Sequence, residues 1–260
     1  MDKGIGKKYN MINALEVLGL CKTYADFALD SVSFTLPAGK IMGFVGQNGA
    51  GKTTTIRCIL NMAVREKGEI TIFGLDNIHD ELEVKQELGA VFDEVFFVET
   101  WRIREVEKAI RGFYSGWDSK LFGDYLKKFS LLSDKPVRDL SRGMKMKLML
   151  ATAMSHGAKL LILDEPTSGL DPVARDELLE ILLEYISDGQ KSVFFSTHIT
   201  SDLERVADFV TVIDHGRIFY TGTKDGLLEH FRIVKDGIVT EQPTIDEILV
   251  NISKKKVSYE

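Results

Sequence analysis

The sequence predicts an α/β domain, a mixed sheet with helices packed on it, and three observations carry that expectation. Short apolar runs alternate with longer amphipathic stretches, the rhythm of strands and helices wound into one sheet. A glycine-rich loop, Gly46 to Gly51, separates an apolar run from a helical pattern. Four aliphatic residues, Leu160 to Leu163, run directly into Asp164 and Glu165, as in a strand buried on both faces whose polar groups emerge at its carboxyl end. With 260 residues, 44% hydrophobic and 28% charged, the chain can bury a full core, as one large domain or as one domain with a small appendage.

Residues 1–13 are expected to form a flexible leader. Met1 to Asn10 carries three Lys, two Gly and little apolar content, and Met11 is an alternative start. Leu15 to Leu20 and Ala28 to Leu36 then read as two strands joined by a turn, and Lys40 to Val45 as a buried strand. A helix follows the glycine-rich loop, from Gly51 to Met62, and Glu69 to Phe73 forms another strand. From Asp80 to Lys128 charged, amphipathic segments dominate, among them Trp101 to Phe113 and Ser119 to Phe129. They predict a helical subdomain inserted into the sheet domain, spanning about residues 94–155. The sheet rhythm returns with Leu160 to Leu163 and Ser192 to Phe195. Between them lies a helix, Pro172 to Ser187, with Asp171 as N-cap and proline at its first turn. Phe209 to Ile213 and Arg217 to Tyr220 flank Asp214-His215-Gly216, a tight hairpin turn. The main domain thus covers 14–222, and 223–260 is a short C-terminal extension with two helical candidates. Lys254 to Lys256 reads as a solvated tail, with weak attraction to a membrane surface as the sharper alternative.

Charge and cysteine content exclude several classes. Lys and Arg number 33 against 39 Asp and Glu, a net charge of −6, which disfavours a nucleic-acid coat built on clustered basic residues. No apolar run approaches the roughly 18 residues of a membrane span. Cys21 and Cys58 form no C-x-x-C pair, and the N-terminus shows no signal-peptide pattern, so a reducing cytosolic compartment is expected.

The strongest chemical signal is Gly46-Gln47-Asn48-Gly49-Ala50-Gly51-Lys52-Thr53, which fits G-x-x-x-x-G-K-[ST]. Its glycines let backbone N–H groups of Gly46, Asn48, Gly49, Ala50, Gly51 and the following Thr54 approach a polyphosphate. Lys52 would bridge the β- and γ-phosphates and the Thr53 hydroxyl would ligate Mg²⁺. The positive end of the following helix dipole points at the same anion. At the Leu160 to Glu165 strand, Asp164 would hold Mg²⁺ through water and Glu165 would serve as general base on the attacking water. Either carboxylate alone is commonly just an acidic strand cap; paired with the phosphate loop they point to nucleotide hydrolysis. No Asn-Lys-x-Asp element is present to read guanine.

Leu140-Ser141-Arg142-Gly143-Met144 resembles the signature sequence of ATP-binding cassette (ABC) ATPases, usually Leu-Ser-Gly-Gly-Gln. Ser168-Gly169-Leu170-Asp171 resembles the D-loop and Ser196-Thr197-His198 the switch-histidine element, while Tyr24 matches the aromatic that stacks on adenine. Elements in the family's order cover residues 14 to about 220. The resemblance implies the ABC ATPase fold of P-loop NTPases: a RecA-like mixed sheet core, an antiparallel β-subdomain and a helical subdomain. It implies ATP and Mg²⁺ as ligands, and a second cassette, the same or related, meeting this one head to tail. Ser141 and the Gly143 N–H would then bind the γ-phosphate held by the other subunit, His198 would hold the attacking geometry with Glu165, and Asp171 would link the two sites.

The chain departs from that pattern in places. Arg142 and Met144 replace the usual Gly and Gln, and where the family places a glutamine that ligates Mg²⁺ and touches the membrane partner, Asp93 and Glu94 follow the strand Gly89 to Phe92. Asp93 is a candidate metal ligand there, a hard oxygen donor on a shorter side chain. Trp101, Trp117, Phe113 and Phe122 read as subdomain core or partner-groove residues. Phe96-Phe97-Val98 divides between core packing and a groove that in this family receives a membrane subunit, and Cys58 reads as a small buried hydrophobe.

The wording of Leu140 to Lys147 and of Ser196 to Glu204 is similar to ABC-2 type export ATPases, including the Ytr-like group and exporters of phenol-soluble modulins. This resemblance implies an ATPase on the cytoplasmic face of the membrane, peripheral to separate transmembrane permease subunits, exporting a peptide, antibiotic or lipid-like compound. Two rivals stay open: a soluble, non-transport ABC ATPase, and an ATP-gated dimerisation module with little turnover. Glu165 argues against the latter.

Overall fold

The structure is a computed structural model that describes residues 13–253 except 95, 232, 236, 237, 241 and 242. Most of the leader and the Lys254 to Lys256 tail lie outside the described residues. In chain order the elements are β1 (Asn13–Tyr24), β2 (Phe27–Pro37), β3 (Ile41–Val45), α1 (Lys52–Ile59), β4 (Lys67–Ile72), β5 (Leu75–Asp76), α2 (Glu81–Glu87) and β6 (Leu88–Val91). They continue with α3 (Ile103–Ile110), α4 (Ser119–Lys128), α5 (Arg142–Met154), β7 (Leu160–Asp164), α6 (Pro172–Tyr185), β8 (Ser192–Thr197) and α7 (Thr200–Val206). The described residues end with β9 (Phe209–Asp214), β10 (Arg217–Thr223), α8 (Lys224–His230), β11 (Ile233–Lys235), β12 (Ile238–Thr240) and α9 (Ile245–Ser253).

Six strands form the central sheet in the order β10-β9-β3-β8-β7-β6, parallel except for β10, which returns antiparallel on β9. The inner strands are apolar on both faces because helices or a second sheet cover both. Ile41, Val45, Leu161, Leu163, Val193 and Phe195 face a core shared with α5, α6 and α7. Their alternate neighbours Met42, Phe44, Leu160, Ile162 and Phe194 face the other way. That second face packs on α1 and on a four-stranded antiparallel sheet, β2-β1-β4-β5. Phe34 of β2 joins Phe44 and Phe194 there, with ring centroids 5.3 to 5.5 Å apart. The period-2 alternation thus predicts the sandwich: one residue in two fills each core.

Between β6 and β7 the chain leaves the sheet to build the helical insert. Ile103 and Val106 of α3, Phe122 and Leu126 of α4, and Met146 and Met149 of α5 are buried together. Asp118 caps α4, its carboxylate accepting from the N–H groups of Lys120 and Leu121. The Trp101 to Phe113 segment is one helix only from Ile103 to Ile110, followed by a short 3₁₀ turn at Arg111–Phe113. Gly112 within that turn is a poor residue for helix propagation. The helix after the glycine-rich loop is likewise shorter than expected, ending at Ile59, with Asn61 in the left-handed region. Two small elements escape the apolar-run reading: β5, with only two residues, and the β11–β12 hairpin inside the C-terminal extension.

The parallel register determines where chemistry can sit. Val45 pairs with Thr197 and Asp164 with Ser196, so β3, β8 and β7 end side by side at one edge. The loops leaving those ends carry the phosphate-loop residues, Glu165 and His198, at the carboxyl end where parallel sheets bind ligands.

Candidate active site

The phosphate loop is shaped by close approach. A Cβ on Gly46 would come within 2.3 Å of the Ile213 carbonyl oxygen, and one on Gly51 within 2.7 Å of Leu29 Cδ2. Gly51 also sits at φ 116°, a conformation costly for any L side chain, so glycine is needed there on both counts. The β9–β10 turn braces the loop from behind, with Gly216 N donating to Ala50 O at 2.9 Å. Gln47, Asn48 and Gly49 are exposed at the rim, Ala50 is buried, and Thr53 and Thr54 open the first turn of α1 with Thr53 exposed. Lys52 is buried, its ammonium donating to the carbonyls of Gly46 at 2.7 Å and Gln47 at 3.2 Å. This folds the lysine back over its own loop and fixes its charge at the mouth.

Glu165 follows β7 in the left-handed region, at φ 50°. A non-glycine residue held there is strained by roughly 1–2 kcal/mol and needs local support. Ser196 supplies it. Its hydroxyl accepts from Glu165 N at 2.9 Å and donates to Asp164 Oδ1 at 2.6 Å. Glu165 then spans two partners: Oε1 lies 3.1 Å from Lys52 Nζ and Oε2 lies 2.7 Å from His198 Nδ1. The structure therefore brings Lys52, Asp164, Glu165 and His198 to one point at the end of the sheet. Tyr24, at the end of β1, presents an exposed ring with Lys22 Nζ 5.3 Å from its centroid, a flat cationic platform of the kind on which a base stacks.

The remaining candidates form a second cluster. Ser141 caps α5, its hydroxyl accepting from Met144 N at 3.3 Å, and Gly143 lies in the first turn. A Cβ on Gly143 would come within 3.2 Å of Ala174 Cβ, so α5 starts against the beginning of α6. Asp171 caps α6 and accepts from Val173 N and Ala174 N, both at 3.0 Å. Arg142 ties this cluster together, donating to Ser168 O at 2.8 Å and pairing with Asp93. The expectation that Asp93 ligates a metal thus meets a competing partner: its carboxylate is engaged by Arg142, the residue standing where the family's signature usually has glycine.

Among the described residues no group of three or more His, Cys, Asp or Glu could hold a metal ion unaided. Thr53 and Asp164 nevertheless offer hard oxygens beside the phosphate loop. Mg²⁺ commonly uses one or two protein oxygens and takes the rest from phosphates and water. The donor set fits an ion delivered with a nucleotide.

Ser196 takes its role from the register that sets it opposite Asp164, which only the folded sheet supplies. Thr167, Arg175 and Asp202, described below, carry no spacing signal in the sequence either.

An apolar groove runs along the border between the sheet domain and the helical insert. Two adjoining cavities of about 450 and 330 Å³ share Ala90, Phe92, Phe113 and Tyr114. Leu82, Phe96 and Phe113 stand largely exposed along it, whereas Phe122 is core and Trp101 is partly exposed. Cys58 is buried. No helix among the described residues is long and apolar enough to cross a membrane.

Residues 29–168 match the family described as ABC transporter. The chain is 33% identical over 236 residues to the Nod factor export ATP-binding protein I of Rhizobium sp. (strain N33), covering 83% of this chain and 73% of that protein. It is 32% identical over 214 residues to the bacitracin transport ATP-binding protein BcrA of Bacillus licheniformis, covering 80% of this chain and 69% of the relative. In the Nod factor export protein of Sinorhizobium fredii the matched share of the relative is 64%, just under two thirds. The fold is similar to a solved structure described as the ATP binding subunit of an ABC transporter. The TM-score is 0.80 at 27% identity, over 92% of this chain and 99% of that one.

Proposed function

The chain belongs to the ABC transporter family, and from that premise we propose that it is the ATP-hydrolysing subunit of an exporter, working on separate membrane subunits at the cytoplasmic face. The observation that carries the reading is the convergence of Lys52, Asp164, Glu165 and His198 at the carboxyl ends of β3, β7 and β8. An ammonium that reads phosphate, a carboxylate beside a metal position, and a base oriented by an imidazole are the parts that phosphoryl transfer to water requires.

In this reading ATP lies along the phosphate loop with its base on Tyr24, Thr53 and Asp164 hold Mg²⁺, and Glu165 takes a proton from the attacking water. His198 fixes the Glu165 carboxylate and meets the γ-phosphate. The signature cluster, Ser141 and the Gly143 N–H with Asp171 behind, adjoins the Glu165 loop through Arg142, with Ser141 and Asp171 exposed. We place it on the nucleotide of a second cassette, where the start of α5 meets phosphate with its positive dipole end. Loss of the γ-phosphate then removes contacts from both subunits and lets the pair open.

The apolar groove is the docking site we assign to a membrane subunit, since Leu82, Phe96 and Phe113 stand largely exposed along it. Kinship with proteins described as Nod factor export and bacitracin transport ATP-binding proteins supports export, and the motif wording supports the ABC-2 type, Ytr-like group and a peptide, antibiotic or lipid-like cargo. Steady-state ATP hydrolysis by the purified chain tests the proposal. Turnover should require Mg²⁺ and vanish in Lys52→Ala; turnover untouched by that substitution overturns the site assignment.

A further inference from the structure

Glu165 and His198 lie on loops that leave two neighbouring strands, and the imidazole is about half exposed, so their 2.7 Å contact needs support from behind. Asp202 lies there. It is in the first turn of α7, four residues beyond His198, and no part of it reaches solvent. A carboxylate buried so completely is tolerated only when charge and hydrogen bonds are returned to it. The donors come from the loop after β7 and from α6. Thr167, two residues beyond Glu165 and itself buried, donates its hydroxyl to Asp202 Oδ2 at 2.5 Å. Arg175 of α6 donates through Nε to Oδ1 at 2.6 Å and through Nη2 to Ser201 Oγ at 2.5 Å. Arg175 stands one turn beyond Asp171, whose backbone carbonyl accepts from Arg175 N at 3.0 Å.

The Glu165 loop, the Asp171 helix and the His198 loop therefore meet at one carboxylate. The Thr167–Asp202 bond crosses the same gap as the Glu165–His198 contact, as a second and buried tie running parallel to the exposed one. The loop bearing Thr167 is itself tight, with Ser168 N donating to Glu165 O at 3.1 Å and Leu170 N to Thr167 O at 3.2 Å. A shift of Thr167 is thus passed directly to Glu165. A cavity of about 220 Å³ lined by Arg175, Arg205 and Asp202 opens there, and Arg175 is partly exposed while the Asp202 side chain is fully buried.

We propose that Asp202 is a positioning residue: through Thr167 and Arg175 it holds the Glu165, Asp171 and His198 segments in one register, and so sets the Glu165–His198 geometry used in hydrolysis. The inference rests on the ATPase reading of the site. It assigns Asp202 no contact with nucleotide, so its removal should lower kcat and spare KM.

Thr167→Val removes the hydroxyl at nearly constant volume and, unlike a substitution of the buried charge, leaves Asp202 its Arg175 partner. In the full purified chain we expect kcat for ATP to fall about tenfold or more, the consequence of losing one hydrogen bond to a charged group at the reacting site. KM for ATP should stay within about twofold, and Thr167→Ser should recover most of the rate. Asp202→Asn should show the same split between kcat and KM. A lowered Tm with unchanged kcat in Thr167→Val, or a rate loss that serine does not rescue, overturns the proposal. Turnover lost in Lys52→Ala but untouched by Thr167→Val overturns it alone and leaves the functional reading standing. Absence of turnover in the unsubstituted chain overturns both.

Discussion

Ser196→Ala is the substitution whose consequences the geometry defines most fully. The Ser196 hydroxyl is buried at the end of β8, donating to Asp164 at 2.6 Å and accepting from Glu165 N at 2.9 Å. Alanine removes both bonds and inserts nothing. The Asp164 carboxylate loses a charge-assisted donor, worth about 1.5–3 kcal/mol. The Glu165 N–H is left without its acceptor, at a cost of about 1–3 kcal/mol if no water replaces the hydroxyl. A combined loss of about 3 kcal/mol corresponds to a Tm lowered by roughly 6–12 °C in a chain of this size. The effect on turnover is separate. Glu165 is strained at φ 50°, and without the Ser196 bond its backbone relaxes toward an unstrained region, carrying the carboxylate off His198 and Lys52. A displacement near 1 Å at a reacting group lowers rate by about 10²-fold. Thermal unfolding and steady-state ATPase assays on the same preparation read both numbers. Retention of full kcat in Ser196→Ala would refute the claim that this hydroxyl positions the base.

Three further outcomes follow from other parts of the molecule. Asp93 and Arg142 are both about half exposed, so Asp93→Asn should change stability by no more than about 1 kcal/mol and raise the Mg²⁺ half-saturation of turnover less than twofold, whereas Asp164→Asn should raise it at least tenfold; equal effects in a magnesium titration would return Asp93 to the metal. Burial pushes the His156 imidazole below its ordinary value of 6.5, so below that pH the unfolded chain binds the proton first. Stability is therefore full above about pH 6.5 and is lost as pH falls through the depressed native value. Thermal melts from pH 7.5 to 5.5 should slope downward, and less steeply in His156→Gln; identical slopes exclude the assignment. Phe113 is 77% exposed at the groove, so Phe113→Asp should leave Tm unchanged while co-purification with membrane subunits is lost, as read by pull-down from solubilised membranes.

The fold was legible where each residue answers to a single physical demand. Leu160 to Leu163, running straight into two carboxylates, forms the strand covered on both faces that it predicts, and the loop from Gly46 to Thr53 has the strand before it and the helix after it that its chemistry needs. Asp171 occupies the N-cap expected of it, a position where short oxygen side chains compete well for free N–H groups. Legibility failed where pairing partners lie far apart in the chain. β5 and the β11–β12 hairpin are too short to leave a period in the sequence. Ser196 matters because the register puts it opposite Asp164, 32 residues away, and a lone serine at a strand end does not announce its neighbour. Asp202 reads as one more acidic residue on an amphipathic helix until Thr167 and Arg175 are seen to enclose it. Asp93 is a metal candidate through the family resemblance, and its pairing with Arg142, 49 residues on, is visible only in the folded chain.

The central claim is that ATP joins two copies of this cassette, or this one and a relative, through the signature cluster of each. Glu165→Gln keeps the shape of the base and removes its capacity to take a proton, so bound ATP persists. Sedimentation or light scattering of that variant with Mg²⁺ and ATP, and again with ADP, measures the claim directly. The account predicts a mass near two chains with ATP and near one chain with ADP. A variant that binds ATP yet stays at one chain would contradict it.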